Sequence, residues 1–87
     1  MRPSPKTLFD LGLKAALTDC SSSEELLEKC SKAQTMFRGI LYSEFSGPDD
    51  ITNLMREFVS AVDDWKNGVP NALANVTVIR RQLWNLA

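Results

Sequence analysis

The stretch 51–65, ITNLMREFVSAVDDW, constrains the fold more than any other part of the chain. Ile51, Leu54, Met55, Phe58, Val59, Ala61, Val62 and Trp65 recur at steps of three and four residues, which sets them on one side of an α-helix. Thr52, Asn53, Arg56, Glu57, Ser60, Asp63 and Asp64 fall on the other side. Such a helix needs a broad apolar surface to lie against. In a chain of 87 residues the other elements must supply it. That length makes one domain, 1–87, which buries only roughly 60–65 % of the surface its unfolded form exposes, so association would add stability.

The flanking segments also read as helices. Ser4 as N-cap and Pro5 at the first helical position open a helix over 5–18. Its apolar residues do not form one narrow stripe. Phe9, Leu13, Ala16 and Leu17 lie on one side, while Leu8, Leu11 and Ala15 lie well round from them. Either two neighbours pack on this helix, or part of it meets another chain. Ser22 with Glu25, or Ser21 with Glu24, fits a capping box that opens a second helix over 23–45. Its stripe is Leu26, Leu27, Cys30, Ala33, Phe37, Ile40, Leu41 and Phe45. Glu25–Lys29 and Glu28–Lys32 are i,i+4 pairs of a solvated face. Glu44, near the end of that helix, is disfavoured by the helix dipole and is expected to reach water or a neighbouring cation.

Gly47-Pro48 stops the second helix. Asp49 and Asp50 then cap and charge the start of the third, 50–66. Asn67-Gly68 ends it, with Val69 placed to make the apolar contact that accompanies such a cap. Ala72, Leu73, Val76, Ile79, Leu83 and Leu86 predict a fourth helix over 70–86. The β-branched run 76–79 also suits a strand, but a lone strand would have no partner. The expectation is an all-α domain, a four-helix bundle or compact orthogonal helical array. Its core should include Phe9, Leu13, Leu26, Cys30, Phe37, Ile40, Leu41, Leu54, Met55, Phe58, Val62, Trp65, Val76, Ile79 and Leu83.

Composition removes several function classes. The chain has no histidine, the commonest general base and metal ligand. Cys20 and Cys30 alone are too few for a zinc site, so no metal or cofactor is expected. A helix starting near Ser23 carries Cys30 roughly 10 Å up its axis, which favours free thiols over a disulfide and a reducing, cytoplasmic setting. Asp63 and Asp64 point about 100° apart and do not converge on a substrate. They read as a solvated helix end or as a site for a cationic partner. Cys20 has no histidine to activate it, and no glycine-rich phosphate loop is present. No catalytic residue is assigned.

The N-terminal segment does not read as a signal peptide, because Asp10 and Lys14 interrupt its apolar run. Nothing approaches the ~20 apolar residues of a membrane span. The sequon Asn75-Val76-Thr77 then reads as coincidence.

Ten basic and eleven acidic residues leave a net charge of −1, with both signs mixed along the chain. That argues against nucleic acid as a partner. A nucleic-acid-binding regulator is the alternative reading, and it would use Arg80, Arg81, Arg38 and Arg56. Arg80 also falls in the apolar stripe one turn before Trp84. There it can stack on that ring, pair with Glu57, or simply cover apolar surface with its stem. Surplus apolar and aromatic surface on the first and fourth helices favours a non-enzymatic protein-binding module: an adaptor, inhibitor or regulatory protein. It would bind another protein or a second copy of itself through Leu8, Leu11, Ala15, Arg80, Arg81 and Trp84.

Overall fold

The structure, a computed structural model, describes residues 5–42 and 49–86. Four helices follow in order: α1 (Pro5–Ala16), α2 (Ser23–Tyr42), α3 (Asp49–Lys66) and α4 (Ala72–Leu86). The run 76–79 is helical, and the described residues contain no strand. Each helix packs extensively on the next in the chain. α4 returns to α1 across a much thinner contact. The outcome is an all-α array of 34 × 24 × 22 Å. Its long axis is close to the ~30 Å span of a 20-residue helix such as α2.

The core follows the sequence stripes. Leu13 comes from α1, Cys30, Phe37 and Ile40 from α2, Met55, Phe58 and Val62 from α3, and Val76, Ile79 and Leu83 from α4. Phe9, Leu26, Leu41, Leu54 and Trp65 pack at its border, half-buried. Phe37 lies at the centre. Its ring meets Phe58 edge-on at 5.3 Å and 82°, and Phe9 at 6.0 Å on the other side. Gly12 lets α1 come close to it: a Cβ there would stand 2.5 Å from Cε1 of Phe37.

The helix ends show local chemistry at work. Ser22 caps α2 by accepting the amide of Glu25 at 3.1 Å. Glu25 reaches back to the hydroxyl and amide of Ser21, at 2.9 and 3.2 Å. These bonds, the side-chain one first, hold its carboxyl below the usual range. Glu28–Lys32 forms an exposed ion pair, whereas Glu25 turns to Ser21 instead of pairing with Lys29. At the end of α3, Gly68 takes φ 74°, the amide of Val69 bonds the carbonyl of Asp64, and the amide of Gly68 bonds that of Trp65. This is a Schellman cap. Val69, which follows that glycine, is 44 % exposed.

Three boundaries differ from expectation. α1 ends at Ala16 rather than 18, and the hydroxyl of Thr18 donates to the carbonyl of Lys14 just past its end. α4 starts at Ala72 rather than 70, because Asn71 adopts φ 66° and breaks the helical path after Pro70. Asp49 already belongs to α3, one residue earlier than read. Ser4, Glu44, Phe45, Gly47-Pro48 and the side chain of Asp49, to which the sequence reading gave roles, lie outside the described residues.

Both cysteines are free thiols. Burial pushes the Cys30 thiol from its ordinary value of 9.0 up to about 11, only partly opposed by the nearby charge of Arg80. A pKa raised on folding means that the folded chain keeps a proton that the unfolded chain has lost. The stabilisation is complete below about pH 9 and disappears as pH rises through about 11. Cys30→Ala is therefore expected to destabilise less at about pH 10 than at about pH 8, by on the order of 1 kcal/mol, in urea unfolding followed by circular dichroism.

Candidate functional site

The side chains singled out on α1 and α4 fall on two separate flanks. Leu8 and Ala15 are half-buried and pack against the core, Leu8 beside Gly39 of α2. The wide apolar arc of α1 is thus largely covered within the chain. Only Leu11 at its margin remains open, at 43 % exposure. Arg80, Arg81 and Trp84 gather elsewhere, where α4 passes the end of α1. With Leu17, Asp19 and Thr77 they line a surface notch of about 260 Å³. Trp84 is 64 % exposed.

Arg80 has a task that sequence spacing did not reveal. Its Nε donates to the carbonyl of Ala16 at 2.7 Å, and its Nη2 to that of Thr18 at 3.4 Å. The Thr18 carbonyl also accepts the thiol of Cys20. The last carbonyls of a helix lack partners within it and carry partial negative charge. Arg80 caps α1 from 64 residues away in sequence. Pairing with Glu57 does not form: the ion pairs among the described residues are Glu28–Lys32 and Arg38–Asp63. Arg80→Met, which keeps the stem and removes the donors, is expected to cost about 2 kcal/mol in urea unfolding, the loss of charge-assisted hydrogen bonds. Arg81→Met, on exposed ground next door, should stay within about 0.5 kcal/mol.

A second polar cluster ties α2 to α3. Gln34 is buried in the middle of the apolar stripe of α2. Its Nε2 donates to the backbone carbonyl of Val59 at 2.9 Å and to Asp63 at 2.7 Å, and its Oε1 accepts from Lys66 at 2.7 Å. Arg38 completes the cluster with a 2.6 Å pair to Asp63. Both partners are 42 % exposed, so the pair adds only about 0–1 kcal/mol. Its main effect is directional, because every donor and acceptor on the Gln34 amide faces a fixed partner. Asp63 is thus met by a cation of its own chain. Asp64 is half-buried and lines the grooves on both sides of α3.

The four arginines do not share one groove. Arg38 and Arg56 line the α2–α3 groove of about 610 Å³ together with Asp63 and Asp64, while Arg80 and Arg81 line the α1–α4 notch. Among the described residues no group of three or more cysteine, aspartate and glutamate side chains converges as metal ligands do. No helix among them is long and apolar enough to cross a membrane.

Gln34 was legible in principle, as an amide spaced four residues after Cys30 and three before Phe37 on a buried stripe. Leu17 and Asp19 had no such signal, since only the return of α4 to α1 brings them to Trp84. No protein-family model matches the chain, and no curated protein and no solved structure matches it.

Proposed function

We propose that this protein is a non-enzymatic protein-binding module, adaptor-like or regulatory, that engages its partner through the α1–α4 seam. The observation that carries this reading is the exposed indole of Trp84 in the lining of a notch that it shares with half-buried Leu17 and with the exposed charges of Asp19 and Arg81. Aromatic anchors flanked by polar rims dominate binding energy at protein interfaces, and most of the Trp84 side chain is left uncovered by the fold. Two free thiols suit a reducing compartment such as the cytoplasm.

The test is comparative capture from the host cell, with the wild-type chain, Trp84→Ala and Leu11→Asp as baits of equal thermal stability. A specific partner should be lost with Trp84→Ala and retained with Leu11→Asp, because Leu11 does not line the notch. Identical captures by all three baits would remove the seam from consideration.

A further inference from the structure

The polar cluster between α2 and α3 holds an amine, an acyl group and a carboxylate in contact. Nζ of Lys66 lies 2.7 Å from Oε1 of Gln34. A carbonyl oxygen stands about 1.23 Å from its carbon, so Nζ lies within about 4 Å of Cδ. Reacting atoms meet at about 3–3.5 Å, which leaves a closure of no more than about 1 Å. The amide nitrogen on the same carbon, Nε2, donates to Oδ1 of Asp63 at 2.7 Å and to the carbonyl of Val59 at 2.9 Å. Arg38 holds Oδ2 of Asp63 at 2.6 Å and leaves Oδ1 to the amide. Asp63 and Lys66 stand one turn apart on α3 and so share a face. Gln34 is only 1 % exposed, so its Cδ is shielded from competing water. Lys66 ends α3 and is exposed, which lets its amine exchange protons with solvent.

We propose that Lys66 and Gln34 join in an intramolecular isopeptide bond that ties α3 to α2. The neutral amine of Lys66 attacks Cδ of Gln34, and the Nζ–Cδ bond forms. The proton that Nζ sheds passes to the carboxylate of Asp63. Asp63 returns it to Nε2, the Cδ–Nε2 bond breaks, and ammonia leaves. An amine and a primary amide become a secondary amide and ammonia, with no oxidant or cofactor consumed. Such an exchange is slow between free molecules, but oriented groups react at effective molarities of about 10⁵–10⁸ M. The bond would close a loop between residues 32 apart in sequence. Unlike a disulfide, it would persist in a reducing compartment. None of these side chains lines the α1–α4 notch, so the bond is independent of the binding role given to that seam.

Mass spectrometry of the full chain, incubated for days at neutral and mildly alkaline pH, tests this. The wild-type chain should lose about 17 Da, the mass of the ammonia released. In a tryptic digest the blocked Lys66 should leave peptide 33–38 joined to peptide 57–80. Lys66→Arg keeps the charge and a donor for Gln34 but no amine nucleophile, and should show no loss. Asp63→Asn should slow the loss by about 100-fold or more, as removal of a general acid–base group does. Circular dichroism and the melting midpoint identify any variant that fails to fold. Lys66→Arg changes an exposed residue and leaves the core intact, so the question stays answerable if Asp63→Asn is lost.

An unchanged wild-type mass, with peptides 33–38 and 57–66 recovered separately, overturns the proposal. So does a loss that persists in Lys66→Arg, because closure of Asn67 onto the backbone at Gly68 also releases ammonia. A cross-link that forms at the wild-type rate in Asp63→Asn overturns the proton transfer through Asp63.

Discussion

Replacing Phe37 with alanine is expected to remove about 3–5 kcal/mol of stability, the loss typical of a large aromatic deleted from a packed core. Three observations place this residue at the upper end. It is fully buried. Its ring contacts Phe58 and Phe9 on different helices, and aromatic pairs of this kind add about 0.5–1.5 kcal/mol each beyond area burial. The close approach of α1 at Gly12 is shaped to its edge. Stability of about 0.05–0.15 kcal/mol per residue gives roughly 4–13 kcal/mol for 87 residues. The substitution therefore removes a third or more of the whole. Urea unfolding followed by circular dichroism should show a much lower midpoint or an already unfolded baseline. A loss under about 1 kcal/mol would mean that Phe37 is not where the helices meet.

Gly12→Val should cost about 3 kcal/mol, from the opposite cause. In an exposed helix, replacing glycine adds stability by reducing backbone freedom, up to about 1 kcal/mol for alanine. Here the new Cβ would stand 2.5 Å from Cε1 and 3.0 Å from Cδ1 of Phe37. The ring cannot swing away, being held by Phe9 and Phe58. Either α1 lifts off α2 or the ring leaves its rotamer. Gly12→Ala should show the same conflict in milder form. Combined with Phe37→Leu, it should do less damage than the sum of the two single changes, because the smaller side chain vacates the space. Thermal melts of the four members of this cycle measure the coupling. Strict additivity would deny the contact.

The elements that were legible in the sequence share a property: each announces itself within one helix. The stripe of 51–65, the serine cap of α2 and the glycine after α3 depend on neighbours within a few residues, and all three stand in the structure. What was not legible depends on partners far along the chain. Gln34 interrupts the apolar stripe of α2, and its partners Val59, Asp63 and Lys66 lie 25, 29 and 32 residues further along the chain. Asp63 read as a solvated end or as a site for a cationic partner, because its cation is on α2, 25 residues earlier. Arg80 invited comparison with Trp84, its helical neighbour, while its hydrogen bonds go to α1. Of the residues assigned to binding, Arg80, Arg81 and Trp84 do gather at one notch. Leu8 and Ala15 were named for an apolar arc that α2 largely covers. Periodicity counts apolar residues on a face but cannot tell which neighbour will cover them.

The order in which the helices touch has a kinetic consequence. Every extensive interface joins helices consecutive in the chain, and only the thin α1–α4 contact links the two ends. Assembly can proceed by docking each helix on its predecessor across a short loop, so little chain entropy is lost before contacts form. Helical proteins of this low contact order fold in microseconds to milliseconds. The bond from Arg80 to Ala16 closes the circuit and belongs at the end of that sequence. Its removal should then speed unfolding while leaving the folding rate nearly unchanged, as for contacts absent from the transition state. The amides in the last turn of α1 should exchange with solvent before those of α2 and α3, opening the array where its ends meet.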